Sequence, residues 1–102
     1  PDMLFEPSHC EQAKGFIRAY IDGDGSVNIK RKCIAIDSVN TLNFPKLNLL
    51  IRCLGMDTRY YAWKKRSRII IKDIVDYQRL ISCWHPEKQK RLLRLTGIVG
   101  PI

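Results

Sequence analysis

The chain has 102 residues, 45 % of them hydrophobic, with 18 Lys+Arg against 10 Asp+Glu for a formal net charge of +8. That is one small domain, residues 1–102, able to bury roughly two-thirds of its unfolded surface and leaving no room for a second core. No apolar run approaches the roughly 18 residues of a membrane span, and the N-terminal PDMLFEPSHCEQ lacks the basic and apolar regions of a secretion signal, so an intracellular protein with no membrane partner is expected.

Four dispersed cysteines, Cys10, Cys33, Cys53 and Cys83, form no Cys-x-x-Cys pair and read as reduced thiols rather than as a disulfide or zinc framework. Charge is divided along the chain. Residues 1–25 hold five acids and two bases, residues 26–102 hold 16 bases and five acids, so a net −3 segment precedes a net +11 body. A basic body with a small acidic cluster suits a polyanion surface with a cation-attracting centre.

In chain order, Ser8 and Glu11 make a capping box, and Ala13, Phe16, Ile17, Tyr20 and Ile21 recur at helical spacing, which predicts a helix over about 9–21. Asp22-Gly23-Asp24-Gly25 should end it in a tight turn. Val27, Ile29, Ile34 and Ile36 then alternate around Lys30-Arg31-Lys32 as a hairpin. Asn43, Pro45 and the stripe Leu47, Leu50, Ile51, Leu54 give a helix over about 43–54, stopped by Gly55. Tyr60–Lys65 and Arg68–Lys72 read as two strands joined at Arg66-Ser67, with Ile69 and Ile71 facing the core. Asp73 opens a third helix with the stripe Ile74, Tyr77, Ile81 and Trp84, and Pro86 opens a fourth over 86–96. The order αββαββαα implies an α+β fold, an antiparallel sheet with helices on one face and the other face open.

The segment Ile17-Arg18-Ala19-Tyr20-Ile21-Asp22-Gly23-Asp24-Gly25 delivers two carboxylates at the C-terminal end of a hydrophobic helix. The macrodipole is negative there, so each acid costs about 0.3–1 kcal/mol unless a cation compensates. A divalent metal held by oxygen ligands is the natural compensation. An EF-hand does not fit, because aligning Gly25 with the loop glycine puts Tyr20 at the first ligand position and Arg31 at the twelfth. A plain turn with capping aspartates is the structural alternative.

Phe16-Ile17-Arg18-Ala19-Tyr20-Ile21-Asp22-Gly23-Asp24-Gly25-Ser26 resembles the signature of the LAGLIDADG homing endonucleases, in a single copy. With Leu54-Gly55-Met56, the second hairpin and Ile81 to Lys88, the resemblance covers about residues 9–97 of an αββαββα(α) repeat. It implies a metal-dependent, site-specific double-strand DNA endonuclease serving intron or intein mobility. Two motif helices, packed through Ala19 and Gly23, would bring two sites together, and a single motif per chain implies a homodimer. It further implies that Asp24, with Gly23, holds Mg2+ near a scissile phosphate, with Asp22 a turn or cap residue. Lys88 matches the family's basic residue near the third helix, though a solvated helix lysine would read the same. The polar residue that the family takes from its second strand could be Asp37 or Asn40. Arg18 and Ala19 depart from the small residue and glycine common at those places, and Ala19 still permits close packing. A non-cleaving regulator or maturase-like protein is the alternative on the same scaffold.

The open sheet face would carry the DNA contacts: Arg68, Ile70 and Lys72 from the fourth strand, Asn28 and Lys30 from the first hairpin. The third strand can be phased either way. Charge at both ends and aromatics between favour Arg59, Tyr61, Trp63 and Lys65 outward, and the opposite phase would make Tyr61 and Trp63 core residues.

Overall fold

The computed structural model describes residues 10–39 and 43–98. Ser8, His9 and Asn40 lie outside them, so the capping box and one candidate for the second-strand polar residue are not placed. Four helices, α1 (Cys10–Asp24), α2 (Phe44–Cys53), α3 (Ile74–Leu80) and α4 (Pro86–Thr96), accompany four strands, β1 (Gly25–Asn28), β2 (Cys33–Ser38), β3 (Thr58–Trp63) and β4 (Arg66–Ile71). The strands form one antiparallel sheet in the order β1-β2-β4-β3. Extents of 35 × 33 × 21 Å describe a slab two layers thick.

The core lies between sheet and helices. Val27, Ile34, Ile36, Ile69 and Ile71 point into it from the strands and meet Ile17 and Ile21 of α1, Phe44, Leu47 and Ile51 of α2, Tyr77 of α3 and Leu92 of α4. The α+β architecture with one face covered is therefore as the periodicities implied. Among the described residues no helix is long and apolar enough to cross a membrane.

Three boundaries differ from expectation. First, α1 does not stop before the Asp-Gly-Asp-Gly segment but runs through Gly23 to Asp24, and β1 starts at the next residue. Glycine is a weak helix former rather than an obligatory breaker, and neither Gly23 nor Gly25 takes a positive φ. Gly25 is required for another reason: a Cβ there would lie 2.8 Å from the Ile21 carbonyl oxygen. Second, the β3–β4 turn is Lys64-Lys65, not Arg66-Ser67, so both strands begin two residues early. A slip of two preserves which side chains face the core, so Ile69 and Ile71 stay inside, joined by buried Ser67. Third, α3 ends at Leu80, and Ser82 adopts φ 64°, turning Trp84 away from the core to 76 % exposure. Ile29 likewise leaves its strand for the β1–β2 turn.

Candidate nucleic-acid interface and acidic centre

The two aspartates at the end of α1 have different surroundings. Asp22 turns toward the start of α4, where its carboxylate accepts the backbone N–H of Trp84 at 3.1 Å and of His85 at 3.1 Å. It thus fastens the backbone that leads into α4, taking the N–H of the N-cap residue His85 and of the residue before it. The segment it holds is distant in sequence. Asp24 is exposed, and its carboxylate has no hydrogen bond or ion pair among the described residues.

Two cations fasten this end of α1. Lys88 Nζ donates to the Ile21 and Asp22 carbonyl oxygens at 2.8 and 2.7 Å, supplying positive charge where the helix dipole is negative. It is therefore not a freely solvated lysine. Arg18 donates from Nε and Nη2 to the Ile81 carbonyl oxygen at 3.0 and 2.7 Å, and its guanidinium lies 4.7 Å from the Trp84 ring centroid. The residue that departs from the usual small one thus ties α1 to the α3–α4 segment. Beneath it, Cys83 and Tyr77 are buried, with the thiol 4.0 Å from the phenol oxygen. Burial pushes the Cys83 thiol up to about 11 and drives Tyr77 above the ordinary phenol range.

The outer face of α1 has small residues at Gly15, Ala19 and Gly23. Gly15 escaped the sequence reading, although its spacing of four from Ala19 was available. A shallow depression lined by Phe16, Ala19, Tyr20, Gly23 and Asp24 runs along this face. A Cβ at Gly15 or Gly23 would meet no atom within 4 Å, so nothing inside the described chain demands glycine at either position. Asp24 closes the end of this depression.

The open sheet face presents Arg59, Tyr61 and Trp63 from β3 and Arg66, Arg68 and Ile70 from β4, with Tyr61 opposite Arg68 and Trp63 opposite Arg66. The outward phase of the third strand is thereby fixed. Lys65 belongs to the hairpin turn rather than to a strand of that face, and Arg66, expected in the turn, takes a place on the face instead. Lys72 follows the end of β4 and lines a depression with Arg31, Cys33, Arg59, Tyr61 and Ile70. Lys30 is exposed in the β1–β2 turn, where the Arg31 backbone N–H donates to Asn28 Oδ1 at 2.9 Å.

Arg68 is not a free guanidinium. Its Nε donates to Asp37 Oδ1 at 2.6 Å and its Nη2 to Oδ2 at 3.4 Å, a cross-strand pair set by the register Asp37↔Arg68. The hydrogen bond to Asp37 and the carboxylate's charge raise the Arg68 pKa further. Both side chains are 41 % exposed, so the pair contributes at most about 1 kcal/mol to stability and acts chiefly by fixing direction. Asp37 is thus committed to the sheet face and to Arg68.

A family model described as a LAGLIDADG-like domain matches residues 11–83, which takes in the acidic helix end, both hairpins and α3. The chain belongs to the LAGLIDADG family. That family comprises homing endonucleases and DNA-binding domains, and the αββαββαα slab has its fold. No curated protein and no solved structure matches the chain. The match ends before α4, so Lys88 lies beyond it.

As to a metal, Mg2+ keeps several waters and takes one or two carboxylates together with substrate phosphates. Asp24 is a hard donor with no partner among the described residues, and these contain no group of three acidic, His or Cys side chains that would hold a metal unaided. One chain therefore offers a single carboxylate of the kind Mg2+ takes, and any further donors would have to come from outside the described residues.

Proposed function

We propose that this LAGLIDADG domain is a site-specific DNA endonuclease that hydrolyses phosphodiesters with Mg2+ as a homodimer, the two α1 faces packed through Ala19 and Gly23. The observation that carries this reading is the contrast between Asp22 and Asp24. Two carboxylates stand at the unfavourable end of one helix; the first is consumed by α4, and the second has no partner among the described residues. A cation between two such ends would relieve both. Asp24 and the Gly23 carbonyl would hold it, and it would supply charge stabilisation at the scissile phosphate. Lys88, held on the Ile21 and Asp22 carbonyl oxygens, adds a fixed positive charge at the turn of helix that precedes Asp24. The open face supports duplex binding, with Arg59, Arg66, Arg68, Lys72, Asn28, Lys30 and the turn residue Lys65 supplying phosphate and base-edge contacts around Tyr61, Trp63 and Ile70.

The α1 depression, which Gly23 lines, and the absence of an internal cause for Gly15 and Gly23 support the pairing, since a helix-interior glycine costs about 1 kcal/mol against alanine and close packing against a partner would offset it. Incubation of supercoiled plasmids from a randomised-site library with Mg2+ or EDTA tests the activity, and sedimentation with and without DNA tests the pairing. Mg2+-dependent linear product, lost in Asp24→Asn while duplex binding persists, is the expected result. Normal cutting by Asp24→Asn would refute the assignment. Binding without any cutting would instead favour a regulator on this scaffold.

A further inference from the structure

Readout of a duplex leaves one feature of the open face without a purpose. Tyr61 and Trp63 are 42 % and 54 % exposed, with ring centroids 6.3 Å apart and planes inclined by only 19°. Neither ring belongs to the core cluster. Beside Tyr61 the face sinks into a depression of about 380 Å³, inside the usual range of ligand sites. It is lined by Cys33, Tyr61 and Ile70 together with the exposed cations Arg31, Arg59 and Lys72, and no acid lines it. The acid nearest in the register, Asp37, is held by Arg68.

Paired bases are covered above and below by their neighbours and offer a protein only their edges, so ring faces gain little from them. An unpaired base has a free π-face, and exposed aromatics interleaved with cations are what single strands bind. We propose that this face binds single-stranded nucleic acid, with bases stacked on Tyr61 and Trp63, one entering the depression, and the flanking phosphates on Arg31, Arg59 and Lys72. The inference needs neither cleavage, nor metal, nor the paired helices. An opened DNA strand and an RNA loop share this chemistry, and the experiment separates them.

Fluorescence anisotropy is titrated with labelled 12-mers of dT, of rU and of an abasic phosphodiester of equal charge, and with a 12-base-pair duplex; 12 nucleotides lie within the roughly 4–16 that such sites occupy. A base-bearing strand should bind at least about tenfold tighter than the abasic one, given stacking of about fivefold or more per base. Tyr61→Ala/Trp63→Ala should remove that advantage, Tyr61→Phe/Trp63→Phe should keep most of it, and Trp84→Ala, an exposed ring elsewhere, should change nothing. Quenching of Trp63 fluorescence in a Trp84→Phe background reports contact directly. The tighter of dT and rU names the source. Equal binding of abasic and base-bearing strands, or an unaffected alanine pair, would overturn the proposal. A strand that binds where the duplex does not would sink the duplex reading and leave this one standing.

Discussion

Asp22 and Asp24 are two residues apart, yet the structure assigns their removal opposite effects on stability. Asp22→Ala deletes a carboxylate that accepts N–H groups of Trp84 and His85 at 3.1 Å. Loss of these bonds to exposed N–H groups costs about 1 kcal/mol, and the favourable charge beside the start of α4 adds about 0.3–1 kcal/mol. Removing the charge also relieves the negative end of α1 by about 0.3–1 kcal/mol, so the net cost is about 1 kcal/mol, which for a domain of this size lowers Tm by roughly 4–8 °C. Asp24→Asn instead removes a negative charge from the negative end of α1 and breaks no bond among the described residues. It should gain about 0.3–1 kcal/mol at low ionic strength, a rise of a few degrees that shrinks as salt is added. Thermal and urea melts of both variants at about 20 mM and about 500 mM salt measure the pair. Equal destabilisation by the two substitutions would mean that Asp24 is a structural residue rather than a ligand for a cation.

Further outcomes follow from other contacts. Asp37→Ala should release Arg68, raising affinity for unrelated duplexes, steepening the salt slope by about one unit and blurring preference at one base pair, whereas Arg68→Ala should cost about 1–3 kcal/mol on the preferred site. Lys72→Ala, by contrast, should weaken all sequences alike; titrations over single-base variants at several salt concentrations distinguish the three. Lys88→Met should lower stability by about 0.3–1 kcal/mol through the exposed end of α1, seen as a shifted urea midpoint. The alkaline limit comes from the buried pair. The Cys83 thiol is held up to about 11 against an ordinary 9.0, so the unfolded chain loses its proton first. Stability should be complete below pH 9 and fall as pH rises toward 11, with Tyr77 acting in the same direction; urea melts at pH 7, 9 and 10.5 check this.

What could be read from residues alone was whatever local chemistry decides. The expected 86–96 helix matches α4 because Pro86 opens it and Gly97, at φ 70°, closes it, and Gly55 at φ 94° stops α2 in the same way. The second hairpin carries no such punctuation. Lys64 to Arg66 is an unbroken run of charge, and the buried Ser67 gives no hydrophobic signal, so only face parity survived the misplaced turn. Trp84 entered the α3 stripe by spacing and left it because Ser82 reverses the chain. Partnerships across the fold were out of reach: Asp22 with α4, Lys88 with the end of α1 and Asp37 with Arg68 join residues 31 to 67 positions apart. The register of the sheet decides the last of them, and no sequence pattern encodes it.

The join at Gly25 has a mechanical meaning. α1 passes into β1 with no intervening residue, and any side chain at the joint would strike the Ile21 carbonyl, so the acidic end is coupled to the first strand of the open face without a loop between them. Slack between the end that would cut and the surface that would read is absent. On the proposed reading, tolerance for an imperfect site would come from the compliance of the DNA, and bendable base steps at the centre of a site would become part of what is selected.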